Sequence, residues 1–153
     1  MRFYPDFVPP FEHEPTRDKF AIQRIGDTVG EGVVALQDFA VGELLFVFTG
    51  IFSSTITLFT LQVNEHLHLH DPFFMGKILH SCDPNTVVDM QKRSFTATKP
   101  IKAGDFVTMD YASTEAVLFR TFECHCGAPN CRGYVAGYTQ LAELIRQKAL
   151  ETA

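Results

Sequence analysis

The pattern of apolar and polar positions predicts a chain built mostly from short strands. An apolar run from Val33 to Leu36 follows a Gly-Glu-Gly turn, and Glu43–Phe48 is long enough for a buried strand closed by Gly50. Residues that mix or alternate Thr, His and large apolar side chains predict the remaining strands: from Phe20 onward, Ile56–Val63, His66–His70, Ser94–Thr98 and Phe106–Met109. Turns are expected at Gly42 and Gly104.

The two ends of the chain differ from this β pattern. Residues 1–16 are rich in proline, which predicts an extended arm. In the C-terminal tail, Leu141, Leu144 and Ile145 recur at helical spacing, and Thr139 is a suitable N-cap. We therefore predict one helix there, packed back on its own domain, with docking of a partner chain as the alternative.

Length and composition fit a single globular domain. The chain has 153 residues, 46% of them hydrophobic and 20% charged, which is enough for a real core. It has neither an 18-residue apolar run nor the apolar core of a signal peptide, so we expect no membrane contact and an intracellular location, in cytoplasm or nucleus. The net charge of −5 argues against nucleic-acid contact and is compatible with a basic partner.

All four cysteines fall in two places. Cys124, Cys126 and Cys131 form a C-x-C-x4-C run that is followed by Arg132-Gly133, and Cys82 lies well upstream. Four thiolates complete a tetrahedral zinc site. Disulfides are the alternative, but Cys124 and Cys126 are too close to pair with each other comfortably and nothing indicates secretion. The cysteine count therefore favours zinc.

Three motifs occur in a fixed order along the chain. Gly30-Glu31-Gly32 opens a strand, Leu79-His80-Ser81-Cys82-Asp83-Pro84-Asn85 lies mid-chain, and Asp110-Tyr111 precedes the cysteine run. From about Phe20 to Val135, this set resembles the SET-domain methyltransferases, most of them protein-lysine methyltransferases, with a post-SET zinc segment.

The resemblance implies a fold and a division of the chain. The fold is mainly β (α+β), a SET-domain-like arrangement of small sheets with a knot-like threaded loop and a short C-terminal helix. In it the H-S-C-x-P-N segment threads a loop near the Asp-Tyr segment. The expected division is an N-terminal arm over 1–19, a SET-like domain over 20–115, a post-SET-like zinc segment over 116–135 and the helix over 136–153.

The resemblance also implies an activity, the transfer of a methyl group from S-adenosylmethionine to a lysine of a basic, possibly histone-like, protein or peptide. Tyr111 matches the catalytic tyrosine, and Cys82 matches the fourth zinc ligand beside Cys124, Cys126 and Cys131. The remaining matches are to positions around the methyl donor: Gly30, Glu31 and Gly32 in the turn that approaches it, Leu79, the backbone of His80, Tyr111, and Phe122 and His125 packed on the adenine.

The chain departs from the family pattern at three of these places. Leu79 replaces the asparagine that usually binds the amino-acid part of the donor, and a leucine cannot form that hydrogen bond. Phe48 stands where a second tyrosine is common, and Met109 where an aromatic residue is common. The expected lysine pocket is therefore apolar. Two alternatives to lysine methylation stay open: a scaffold repurposed for a small-molecule reaction, and an inactive module that binds donor or peptide.

A histidine run forms a further candidate site. His66, His68 and His70 would share one face of a strand, where two of them could reach a metal or line the substrate groove. A half-buried polar face is the simpler interpretation.

Overall fold

The computed structural model describes residues 2–26 and 30–151, apart from the side chains of Leu144 and Lys148. Within this part of the chain, short strands dominate and one α-helix follows them. The strands are β1 (Phe20–Ile25), β2 (Gly30–Ala35), β3 (Leu44–Val47), β4 (Ile51–Ser53), β5 (Thr60–Asn64), β6 (Leu67–His70), β7 (Leu79–His80), β8 (Thr86–Asp89), β9 (Ser94–Ala97), β10 (Thr108–Met109), β11 (Phe122–Glu123) and β12 (Tyr134–Val135). Two 3-10 helices span Met75–Lys77 and Tyr111–Ser113, and α1 spans Tyr138–Glu151.

The strands form small sheets of two or three members. β1 pairs with β2 and β11 with β12 in antiparallel hairpins, while the orders β3-β9-β8 and β4-β6-β5 make two three-stranded antiparallel sheets. The expected mainly β class with a C-terminal helix is therefore confirmed. The strand predicted over Ile56–Val63 begins later, at Thr60. Thr57 and Thr60 form a turn instead, because the Thr57 N–H donates to the Thr60 hydroxyl and that hydroxyl donates to the Thr57 carbonyl.

A cluster of phenylalanines fills the main core. Phe46 on β3 is fully buried, and its ring centroid lies 4.7 Å from that of Phe95, 4.8 Å from that of Phe74 and 5.5 Å from that of Phe20. These rings pack edge-on or stacked, which are the favourable arrangements for aromatic pairs. The proline-rich arm joins this core, since Phe3 is buried within it and its ring lies 4.6 Å from that of Phe74.

Tyr4 and Asp71 form a buried polar network beside this core. The Tyr4 hydroxyl donates to Asp71 Oδ2 at 2.7 Å, and the N–H groups of Phe73, Phe74 and Met75 donate to the same carboxylate. Burial raises the pKa of Asp71, and these four hydrogen bonds offset part of that effect. The network holds the start of the first 3-10 helix, which leads directly into Ile78 and β7.

The mid-chain motif and the Asp-Tyr motif lie side by side. β7 and β10 pair in parallel, with Leu79 opposite Thr108 and His80 opposite Met109. Asn85 extends this pairing: its Oδ1 accepts from the Thr108 N–H at 2.9 Å, and its Nδ2 donates to the Phe106 carbonyl at 2.8 Å. The two motifs are thus brought together; that one threads a loop of the other stays a prediction.

The C-terminal helix begins two residues earlier than an N-cap at Thr139 implies. Tyr138 is its first residue, so Thr139 as N-cap is wrong; its hydroxyl donates to the Ala116 carbonyl at 2.6 Å. Gln140 reaches back instead, and its Oε1 accepts from the Gly137 N–H at 2.9 Å. Ile145, on the predicted apolar face, is 62% exposed. The first turn of α1 is therefore fastened to the domain, while the side chain of Ile145 faces solvent.

Candidate active site and metal centre

A pocket of about 550 Å³ opens where β7, β10, the first 3-10 helix and β11 meet. Eight of the predicted site residues line it: Leu79, His80, Met109, Tyr111, Phe122, Cys124, His125 and Cys126. The remaining lining residues are ones that the sequence did not single out: Thr57, Leu58, Thr60, Leu61, Met75, Gly76, Ile78, Glu115, Leu118, Phe119, Arg120 and Glu123. The volume lies in the usual range for ligand pockets.

Tyr111 occupies the middle of this pocket, at the start of the second 3-10 helix. Its hydroxyl donates to the Ile78 carbonyl at 2.6 Å. Burial raises the pKa of Tyr111, so the phenol keeps its proton at neutral pH. The donated hydrogen bond fixes the direction of the hydroxyl and leaves the oxygen as an acceptor toward the pocket.

His80 connects Tyr111 to the cysteines. Its Nδ1 accepts from the Tyr111 backbone N–H at 3.1 Å, so the neutral ring carries its proton on Nε2, which lies 3.4 Å from Cys82 Sγ. Burial lowers the pKa of His80 to about 4, although the Asp110 carboxylate acts in the opposite direction. The imidazole therefore stays neutral, with its Nε2–H directed at the Cys82 sulfur.

The four cysteines converge on one point. Their sulfur atoms all lie within 4.8 Å of one another, and Cys82 Sγ is 3.9 Å from Cys124 Sγ. Zinc in a tetrahedron of thiolates, with Zn–S bonds of about 2.3 Å, requires sulfurs about 3.8 Å apart. The donor set and its spacing therefore fit zinc. All four cysteines are free in the structure, with no disulfide among them.

Further contacts tie the cysteine segment to the motifs around the pocket. The Arg132 N–H points at Cys82 Sγ at 3.5 Å, and Asn130 Nδ2 donates to the Cys82 carbonyl at 3.0 Å. The Arg132 guanidinium donates to Asp110 Oδ1 at 2.7 Å, and Asp110 directly precedes Tyr111. Hydrogen bonds to a metal-binding sulfur and its segment orient the ligands, as outer contacts do in metal sites generally.

The predicted donor turn lies behind the pocket wall. A Cβ on Gly32 would sit 2.9 Å from Leu79 Cδ1, so a side chain there would collide with the leucine. Glu31 pairs with Lys77 at 3.2 Å, at the end of the first 3-10 helix. Gly30, Glu31 and Gly32 thus stand next to the pocket and are not among its lining residues. Leu79 fills the space between them and the pocket.

Of the predicted lysine-pocket residues Phe48 and Met109, the structure places only Met109 in the lining of the pocket. Met109 lines the pocket and is buried. Phe48 is buried in the phenylalanine core, 5.6 Å from Phe95 and 6.5 Å from Phe46 between ring centroids, and it is not among the residues that line the pocket. A sequence match cannot separate these cases, because both residues are apolar and both lie on strands or next to them.

Glu115 is a pocket residue that the sequence analysis did not single out. It is only 4% exposed, and burial raises its pKa to about 7. Its Oε2 accepts from the Gln62 N–H at 2.7 Å. Its place four residues after Tyr111, on the same side of one helical turn, is the available sequence signal.

The histidine run does not gather as a metal site. Within residues 2–26 and 30–151, the set of His, Cys, Asp and Glu side chains close enough to hold a metal is the four cysteines. His66 is exposed beside Glu65, His68 is buried, and the Nδ1 of His70 lies 2.8 Å from the Thr57 hydroxyl.

Comparison with known proteins identifies the scaffold. The family model of the SET domain matches residues 30–112, just over half of the chain. Methyltransferase flvH of Aspergillus flavus is 38% identical over 60 residues, which cover 38% of this chain and 34% of the relative. A histone-lysine N-methyltransferase, H3 lysine-36 specific, of Candida albicans is 26% identical over 135 residues, covering 72% of this chain and 16% of the relative. The chain thus spans about a third or less of these relatives.

Solved structures agree on the fold. The crystal structure of KRYPTONITE in complex with mCHG DNA and SAH superposes with a TM-score of 0.62 at 21% identity, covering 75% of this chain and 28% of that one. A second KRYPTONITE structure, which also contains an H3(1-15) peptide, gives a TM-score of 0.59 over 75% of this chain and 29% of that one, at 20% identity. No helix in the described part of this chain is long and apolar enough to cross a membrane.

Proposed function

This chain belongs to the SET domain family, and on that basis we propose that it transfers a methyl group from S-adenosylmethionine to a lysine side chain of a protein or peptide. One observation carries the proposal: Tyr111 lines the same pocket as four of the positions matched to the donor (Leu79, His80, Phe122 and His125) and a set of mostly apolar residues. The KRYPTONITE complexes with SAH are consistent with this donor.

Residues that line the pocket suit the methyl donor, and the four cysteines suit zinc. His80, Phe122 and His125 line the pocket where we propose that the adenosine part of the donor binds, and Phe122 offers it an apolar ring face; Leu79 lines the pocket where its amino-acid part would bind. The four cysteine sulfurs would hold zinc, which would fix the segment carrying Phe122 and His125. When bound, S-adenosylmethionine supplies an electrophilic methyl group on a sulfonium centre.

The amine of the substrate must lose its proton before it can attack. With an ordinary lysine pKa near 10.4, deprotonation at pH 7 costs about 4.6 kcal/mol. Met75, Met109 and Leu61 are buried apolar residues of the pocket wall. An amine held among such side chains is poorly hydrated, which disfavours its charged form and lowers its pKa.

Tyr111 would then align the reactants. Its hydroxyl is held by the Ile78 carbonyl, so the phenol oxygen has a fixed position from which to accept a hydrogen bond from the amine. A displacement reaction depends chiefly on such alignment, and a misplacement of about 1 Å can cost roughly 100-fold in rate. His80 supports this position from the opposite side by accepting from the Tyr111 backbone.

The proposed substrate is a basic, histone-like protein inside the cell. Several of the related proteins are named histone-lysine methyltransferases, and one KRYPTONITE structure contains an H3(1-15) peptide. The net charge of −5 suits a basic substrate. It also leads us to expect no nucleic-acid contact, although both KRYPTONITE complexes contain DNA.

The test is methyl transfer with a matched pair of tyrosine variants. Labelled S-adenosylmethionine is offered to the purified chain with lysine peptides, and donor binding is followed by calorimetry. We expect Tyr111→Phe to bind the donor and to lose about 100-fold in turnover. Tyr138→Phe, which removes an exposed hydroxyl at the start of α1, is the control and should keep its activity. Donor binding without turnover in the unaltered chain would contradict the proposal, as would equal activity of the two variants.

A further inference from the structure

The substrate side of the pocket contains a buried carboxylate that the proposed reaction does not use. Glu115 lines the pocket and is hydrogen-bonded to β5, whose residues Thr60 and Leu61 line it too, whereas the proposed donor-binding residues His80 and Phe122 are on β7 and β11. Its N–H donates to the Tyr111 carbonyl at 3.0 Å, so it follows Tyr111 by one helical turn. At about 1.5 Å of rise per residue, four residues place the two backbones roughly 6 Å apart along the pocket.

The position of Glu115 is fixed from two directions. Gln62 on β5 donates its N–H to Glu115 Oε2 at 2.7 Å, and its side-chain oxygen accepts from the Ala116 N–H at 2.9 Å. On the other side, the Tyr138 N–H at the start of α1 donates to the Glu115 carbonyl at 2.9 Å. The carboxylate is therefore held in place before any ligand arrives, as a recognition group should be.

This carboxylate has no cationic partner of its own. Among the described residues, no lysine, arginine or histidine forms an ion pair with Glu115. Arg120 lines the same pocket, but its guanidinium lies over the Phe119 ring, 5.9 Å from the centroid. Burial raises the pKa of Glu115 to about 7, and the hydrogen bonds from the Gln62 N–H and the Thr114 hydroxyl offset only part of that burial. A buried carboxylate without a partner opposes folding at neutral pH, and a bound cation would relieve that cost.

We propose that Glu115 binds a second cationic group of the substrate, separate from the amine that is methylated. This inference rests on the proposed methyl transfer and adds the substrate class: a molecule with two cations a few ångströms apart. The second cation can be a basic side chain next to the target lysine in a peptide, or the other amine of a small diamine. In both cases an ammonium or guanidinium donates to Glu115 in a charge-assisted hydrogen bond.

The experiment compares paired substrates on Glu115→Gln and on the unaltered chain. The peptide arm uses a lysine peptide with a neighbouring arginine and the same peptide with citrulline, its neutral isostere. The small-molecule arm uses 1,6-diaminohexane and hexylamine. We expect the unaltered chain to prefer the dicationic member of one pair, and Glu115→Gln to reduce that preference in kcat/KM roughly 10- to 100-fold. The arm that shows the preference identifies the source of the cation.

Glutamine keeps an oxygen acceptor for the Gln62 N–H, so the variant should fold. Glu43→Gln is the matched control, because Glu43 also accepts a backbone N–H, from Ala40, but in an exposed turn far from the pocket. If Glu115 had only a structural role, Glu115→Gln would lower kcat/KM equally for both members of a pair, and this result would overturn the inference. Weaker donor binding alone, with an unchanged preference, would overturn it as well.

Direct binding separates this inference from the proposed function. The affinities of the arginine and citrulline peptides, and of the two amines, are measured without turnover by calorimetry. If no substrate is methylated but the dication binds through Glu115, methyl transfer fails and the cation site stands. If methylation occurs and neither dication is preferred in turnover or in binding, the cation site fails and the proposed function stands.

Discussion

Two buried regions flank the pocket, and different forces hold them. On one side, Phe20, Phe46, Phe74 and Phe95 form a continuous aromatic core with side chains that are at most 1% exposed. On the other side, the second cluster has only four buried members, Cys82, Leu118, Cys124 and Val135, and two of them are cysteines. The first region can be stabilised by apolar burial, whereas the second has too little apolar surface for that.

The difference indicates how the active site is assembled. Ile78 and Met109 belong to the aromatic core region, while Phe122 and His125 belong to the segment that zinc would fix. Tyr111 packs against both clusters. The pocket therefore lies between two regions. Burial of apolar side chains stabilises the aromatic core, whereas we expect the cysteine segment to become ordered only when the metal is bound.

Loss of the metal should have the largest effect, and it should be local. Cys82→Ser removes one of the four thiolates, and structural zinc contributes roughly 10–16 kcal/mol in small peptide sites. We expect zinc content to fall and amide exchange over residues 122–135 to speed up by several orders of magnitude. Exchange in β3 and β9 should change little, because these strands belong to the aromatic core, which contains none of the four cysteines. Mass spectrometry of the exchanged protein resolves the two regions.

Chelation of the unaltered chain is the independent control, since it should reproduce the pattern of Cys82→Ser. Ser81→Ala, next to Cys82 in the motif, should keep full zinc stoichiometry, since the Ser81 hydroxyl only accepts from the Asp83 N–H. Unchanged zinc content and unchanged protection over residues 122–135 in Cys82→Ser would refute the shared site. Equal loss of protection in both regions would refute the expected difference between them.

The opposite pattern is expected from a change in the aromatic core. Phe46 is fully buried among four other phenylalanine rings, so Phe46→Ala should lower the free energy of unfolding by about 3–5 kcal/mol. Urea denaturation measures this loss for the whole domain. Phe7→Ala, at a side chain that is 71% exposed, is the matched control and should cost less than about 1 kcal/mol. If Phe46→Ala lowered the free energy of unfolding by much less than this, the aromatic core would not be what stabilises its side of the pocket.

The sequence predicted the two regions unequally. The core strands could be found from apolar patterning, since a buried strand needs consecutive or alternating apolar residues. β3, β6 and β9 lie within the predicted segments, and β2 overlaps the predicted run but begins three residues earlier, at Gly30. β7, β11 and β12 have only two residues each and could not be found in this way. Pairing with a distant segment defines such short strands, and local pattern does not record it.

Prediction of the site residues from the sequence was limited in the same way. Motif order brought Tyr111, His80 and the cysteines together correctly, because each belongs to a recognisable group of residues. Phe48 and Glu115 could not be placed in this way. Whether an aromatic side chain after a strand enters the core or a pocket depends on packing, and Glu115 acquires its environment from Gln62, more than 50 residues earlier. Such properties arise from tertiary contacts, which the sequence pattern does not specify.

Glu115 lines the pocket between the two regions, and its ionisation should have the smallest of the predicted effects on stability. Burial raises its pKa from 4.5 to about 7, so the folded state resists ionisation of this carboxyl. The native state is therefore relatively most stable below pH 4.5, and stability is lost as the pH rises from there through 7. Glu115→Gln has no such penalty, so its free energy of unfolding should exceed that of the unaltered chain at pH 8, by at most roughly 3 kcal/mol, and the excess should shrink toward pH 5.

Other titratable or charged pocket residues are shared by both proteins and largely cancel in the difference: His80, Tyr111, Arg120, Glu123, Cys124, His125 and Cys126. Urea denaturation of both zinc-loaded proteins between pH 5 and 8 measures the difference, and an excess that does not vary with pH would show that the Glu115 carboxyl is not buried without a charged partner.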